Sequence, residues 1–153
     1  MATSKDKVEI TRLLDAPREL VFDAWSRAEH LVKWFAPDGF TCHCAMDFRA
    51  GGTVSIRLVG YGIDSTVNGI YHEIAAPERI VLGMRFTDLP EHELRTTVTL
   101  VARGDQTEIT VQQVFPAFDV LTAAQRELLA PRMGGANEGW NQTLRHLAEF
   151  VRR

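Results

Sequence analysis

Cysteine is nearly missing from this 153-residue chain: only Cys42 and Cys44 occur. Two thiols cannot make a disulfide framework, and a bridge between neighbours so close in sequence would strain the bond geometry. Cys42-His43-Cys44 resembles a metal-binding fragment, but a structural zinc site needs about four ligands, usually as two separated pairs. No second pair exists, so no metal is assigned, and both thiols read as small hydrophobes in register with Met46 and Phe48. Charge of one sign is also missing. Lys and Arg number 17 against 20 Asp and Glu, the net charge is −3 and the pI about 5.9, which excludes the basic face of a nucleic-acid binder. No apolar run approaches the roughly 20 residues of a membrane span. Met1 to Lys7 contains no apolar core of a signal peptide. A cytoplasmic protein with neither a nucleic-acid nor a membrane partner is expected. There is no Gly-x-Ser-x-Gly elbow, no His-Glu-x-x-His and no phosphate-cradling glycine loop. No catalytic residue and no cofactor is therefore assigned. Internal repeats and low-complexity tracts are absent too.

What the chain does have is 45% hydrophobic residues in ordered periods. Its length fits one domain over residues 1–153, with residues 1–6 as a flexible N-terminus. Val8, Ile10, Leu13 and Leu14 predict a first strand. Asp15-Ala16-Pro17 then starts a helix with Leu20, Val21, Ala24 and Trp25 on its buried stripe. A second short helix is expected from Glu29 to Trp34, ended by Pro37-Asp38-Gly39. From Thr41 the period becomes two, and strands are expected around residues 41–48, 54–58, 65–74, 80–86, 98–103 and 109–115. Gly51-Gly52, Gly60-Tyr61-Gly62, Ala76-Pro77-Glu78 and Gly104-Asp105 supply turns, and Thr87 to Glu93 an acidic loop. About seven strands joined by short turns make an antiparallel sheet. The last element is a helix in which Trp140, Leu144, Leu147 and Val151 recur at helical spacing. The class is α+β: a curved sheet wrapped around a long C-terminal helix, with a cavity between them. Residues 116–135 precede that helix with a capping-box pair, Thr122 and Gln125, and an amphipathic stretch of their own. They read either as a lid hinged at Gly134-Gly135 or as a packed closing helix.

The candidate pocket walls are Phe35, Phe40, Phe48, Ile56, Leu58, Ile70, Leu82, Met84, Leu100, Val111, Phe115, Trp140 and Leu144. His72, between Ile70 and Ile74 on one strand face, and Gln113, in register with Ile109 and Val111, are its polar anchors. The opposite register would turn Val67 and Tyr71 inward and His72 to solvent. Asp47 and Arg49 read as a structural pair beside Gly51-Gly52.

An ordered set of phrases runs through the whole chain. They are Ala16-Pro17-Arg18-Glu19 leading into Val21-Phe22-Asp23-Ala24-Trp25, Trp34-Phe35-Ala36-Pro37, Asp47-Phe48-Arg49-Ala50-Gly51-Gly52, Gly69-Ile70-Tyr71-His72-Glu73-Ile74, Pro77-Glu78-Arg79-Ile80 and Gly139-Trp140. In order and spacing the set resembles the START/Bet v 1-like (SRPBCC) superfamily, and within it the activator of heat-shock-protein-90 ATPase homologue-like family. The resemblance implies the helix-grip fold and a hydrophobic cavity. It does not imply one activity, since relatives include lipid and hormone carriers, polyketide cyclases and chaperone regulators. The expected function is non-enzymatic binding of a small hydrophobic or aromatic ligand. One alternative is a cyclase- or dehydratase-type enzyme using His72 in the pocket; another is a chaperone ATPase regulator acting through its surface. The eukaryotic activator that names the family carries a further N-terminal domain, whereas this chain begins a few residues before its first strand, so a chaperone partner is not expected. A homodimer stays open.

Overall fold

Strict alternation of apolar side chains builds the sheet. In the strand Gln106–Val114, Thr107, Ile109, Val111 and Gln113 are buried and the residues between them only half-buried. A period of two puts one set on each face. The computed structural model describes residues 7–152; the N-terminus expected to be flexible, residues 1–6, lies outside the described residues. Seven strands form one antiparallel sheet: β1 (Lys7–Leu14), β2 (Thr41–Met46), β3 (Thr53–Gly60), β4 (Ile63–Ala75), β5 (Arg79–Phe86), β6 (Leu89–Arg103) and β7 (Gln106–Val114). Their order is β1-β7-β6-β5-β4-β3-β2. Consecutive strands pair except that β1 joins β7, with Ile10 and Val98 both opposite Val111. β1 and β2 are therefore opposite edges, and α1 (Arg18–Ser26) with α2 (Ala28–Leu31) carries the chain between them. The sheet curves around α3 (Ala123–Val151), the helix-grip arrangement.

α3 is held differently along its length. Trp140, Thr143, Leu144, Leu147 and Val151 are buried in its C-terminal half, whereas Leu129 is the only buried residue from Ala123 to Gly139. Each fully buried Leu contributes roughly 1.5–3 kcal/mol, so the C-terminal half anchors the helix. The N-terminal half stands off and leaves a groove.

Two expectations need correction. Residues 116–135 do not form a separate helix hinged at Gly134-Gly135: α3 runs unbroken through both glycines and Pro131, after a 3-10 turn at Phe118–Val120. Glycine and proline have poor helix propensity, but burial of the C-terminal half and the Thr122/Gln125 capping box, with bonds of 3.1 and 2.9 Å, outweigh it. Nor is Thr87 to Glu93 a loop, because β5 ends at Phe86 and β6 starts at Leu89. Leu89 and Leu94 are 1% and 3% exposed and anchor the new strand. Pro90 is tolerated because β7 pairs with β6 only from Arg95 onward. Among the described residues no helix is long and apolar enough to cross a membrane.

Candidate functional site

The stretch from Val32 to Phe40, after α2, is strapped onto α3. The Asp38 carboxylate accepts from Arg145 and lies 2.7 Å from His146 Nε2, while the Asp38 backbone N–H donates to Gln142 Oε1 at 2.9 Å. The hydrogen bond from Arg145 lowers the Asp38 pKa below the ordinary carboxylate value. This strap brings Phe35, Pro37 and Phe40 to the mouth of the groove. Across from them are Leu58, Val67, Met84, Phe86, Leu94 and Phe115 from the sheet, and Arg132, Gly135, Ala136, Gly139, Trp140 and Thr143 from α3. They enclose about 420 Å³, within the range of small-molecule pockets. The chief polar group on the sheet side is Gln113, 8% exposed. Its Oε1 accepts from Trp140 Nε1 at 3.1 Å, and its Nε2 donates to Thr96 Oγ1 at 3.3 Å. A buried amide left unpaired would be costly, so this chain of bonds fixes both the Trp140 ring and the groove floor. A larger hollow of about 640 Å³ beside Lys33, Cys42, His146 and Glu149 is wider but has charged walls.

Of the fifteen expected pocket residues, Phe35, Phe40, Leu58, Met84, Gln113, Phe115 and Trp140 come together at the groove. Ile56 and Leu82 border a small void behind it, which shares Phe35, Met84 and Trp140 as walls. Leu100, Val111 and Leu144 are at most 2% exposed and sit in solid core, lining neither space. Phe48 lies past the end of β2, where its ring packs edge-on against Phe22 at 5.7 Å and Tyr71 at 5.0 Å.

Ile70 and His72 were expected inside and are outside. Ile70 is 44% exposed, and His72 Nε2 meets Glu93 Oε2 at 2.9 Å on the outer face. The cause is a β-bulge. Tyr71 pairs with Leu82 and Glu73 with Val81, so His72 is an extra residue in β4. A bulge reverses the inside-outside phase on one side of it: Tyr71 is buried and Ile74 packs against the core, although they are three positions apart, an odd step. With His72 outside, the enzymatic alternative loses its titrating group.

Burial pushes the Cys42 thiol up to about 12 and Cys44 to about 11, which keeps both as inert thiols at neutral pH. Asp47 and Arg49 do pair, at 2.7 Å.

Residues 15–152 match the sequence profile of the activator of Hsp90 ATPase homolog 1-like proteins. The chain belongs to that family. Among curated proteins none matches. Among solved structures, protein CV1439 from Chromobacterium violaceum is 28% identical, with a TM-score of 0.79 over 97% of this chain and 98% of that one. A protein from Arthrobacter aurescens shares the fold at 18% identity and a TM-score of 0.81, covering 97% and 87%. DynU16, from the dynemicin biosynthetic locus, shares it at 18% identity and a TM-score of 0.69, covering 96% of this chain and 47% of its own.

In this member of the family the groove mouth carries one charged side chain. Arg132 packs over the Phe86 ring, 4.2 Å from its centroid, and grips Asp88 with two bonds of 2.9 and 2.8 Å. The hydrogen bond from Arg132 holds the Asp88 pKa below its ordinary 3.8. A lowered carboxylate pKa stabilises the fold fully above the ordinary value, and that stabilisation disappears as pH falls through the lowered one. Because Asp88 is exposed and Arg132 only half-buried, it amounts to about 0.5 kcal/mol. Urea titrations below about pH 4 are expected to show a steeper loss for the native protein than for Asp88→Asn. Equal slopes would mean that the pair holds nothing.

Proposed function

We propose that this protein binds a small apolar or aromatic molecule in the groove between the sheet and α3, and holds it without transforming it. One observation carries this reading: of the described residues that line the groove, Arg132 alone is ionisable, and it is already engaged by Asp88. An arginine does not give up its proton at neutral pH, so the lining offers no general acid or base. Aromatic and aliphatic walls with a few fixed polar atoms are instead the makeup of a ligand container. A cytoplasmic setting, where Cys42 and Cys44 stay as free thiols, is consistent with this role.

Native mass spectrometry of freshly purified protein tests the reading. We expect extra mass that disappears on denaturation. Where the protein arrives empty, the neutral fluorophore N-phenyl-1-naphthylamine is expected to bind at one site with blue-shifted emission. An empty protein that also ignored this probe would defeat the proposal.

A further inference from the structure

The void behind the groove is bordered by a tryptophan whose hydrogen-bond donor has no acceptor among the protein's described residues. Among the described residues, Trp34 Nε1–H donates to the Ala24 carbonyl at 3.1 Å and Trp140 Nε1–H to Gln113. Trp25 Nε1–H is buried and has no partner, although the residue is only 4% exposed. Its ring stacks edge-on with Trp34 at 4.7 Å and Phe35 at 6.2 Å, which supplies at most a weak π acceptor. Buried donors without partners are rare and each calls for an explanation. Trp25 borders this small void, together with Tyr71 and Thr96. Tyr71 O–H is also poorly matched, since it donates to the Met46 sulfur at 3.7 Å, a weak acceptor. The void measures about 10 Å³, close to one probe sphere, enough for a single oxygen atom. Phe35, Met84 and Trp140 line both this void and the groove. Among the described residues no charged side chain lines it.

Building on the container reading, we infer that the ligand is a neutral aromatic carbonyl compound, an aryl ketone or quinone. Its ring fills the groove, and its carbonyl oxygen passes between Phe35, Met84 and Trp140 to accept from Trp25 Nε1–H. A carboxylate is excluded because no cation borders the void to offset its desolvation. A plain hydrocarbon fits the groove but leaves the donor unpaired.

Three probes of one shape test this by calorimetry: 2-acetylnaphthalene, 2-ethylnaphthalene and 2-naphthoate. The ketone is expected to bind the native protein about five to ten times more tightly than the hydrocarbon, the net worth of one hydrogen bond, and naphthoate most weakly. Trp25→Phe keeps an aromatic ring without the N–H. It should remove the ketone's advantage while leaving hydrocarbon affinity unchanged, and that unchanged affinity also shows that the variant folds. Equal binding of ketone and hydrocarbon to the native protein would mean that only water serves Trp25, which overturns this inference and leaves the container reading intact. Naphthoate binding most tightly would overturn it as well, with Arg132 as the anchor. Loss of the preference in Tyr71→Phe but not in Trp25→Phe would overturn the assignment to Trp25. Binding of none of the three to protein that is empty by native mass spectrometry would overturn this inference, and the container reading with it if N-phenyl-1-naphthylamine is ignored too.

Discussion

Trp140→Ala is expected to destabilise the protein by about 3–5 kcal/mol, the usual range for removing a buried tryptophan. Three separate losses act at this position. The ring is 8% exposed and stacks edge-on against Phe35 at 5.6 Å, so truncation leaves a cavity. Its N–H is the donor that satisfies Gln113 Oε1, so a buried amide oxygen loses its partner. It also forms part of the partition between the groove and the inner void, so the two spaces merge. Trp140→Phe separates these effects: it keeps most of the packing and loses the donor, and should cost about 1–3 kcal/mol. Urea denaturation of both variants reads the difference. A cost under about 1 kcal/mol for the alanine variant would mean that the anchor of α3 lies elsewhere, in Leu144 and Leu147.

The fold was legible because period-two and period-3.6 patterns are strong where a face is buried. β7 alternates without a fault and the C-terminal half of α3 keeps its stripe, so the antiparallel sheet and the gripped helix both follow from spacing. The failures share a cause: side-chain pattern gives phase but not where phase changes. In β4 the phase changes at His72 because of one unpaired residue, and no residue type there announces a bulge. Counting back from Ile74 therefore placed Ile70 and His72 on the wrong face. Thr96 was within reach, since it follows the same alternation as Val98 and Leu100, but a threonine does not stand out as core. The α3 wall of the groove was hidden for the opposite reason. Arg132, Gly135, Ala136, Gly139, Trp140 and Thr143 fall at steps of three, one, three, one and three, which is one helix face. Most of that face is small, so hydrophobicity shows only its Trp140 end. Open space is made by what side chains lack, and lists of large apolar residues overlook it.

That small-residue face leads to the variant with the largest expected effect on binding, Gly135→Leu. Gly135 lines the groove, and a Cβ built on it meets no atom within 4 Å. The helix therefore accepts a side chain, and leucine would extend into the 420 Å³ that the ligand needs. Affinity for a neutral aromatic probe is expected to fall more than about tenfold, equivalent to about 1.4 kcal/mol. Stability should move the other way, up by roughly 0.5–1 kcal/mol, because leucine is a far better helix former than glycine. Gly134→Leu provides the control. Its neighbouring position is equally open to a new Cβ but does not line the groove, so it should gain the same helical stability and keep its affinity. Opposite signs for binding and stability at 135, with stability alone changing at 134, place the ligand against α3. Unchanged affinity in Gly135→Leu would move the ligand out of this groove altogether.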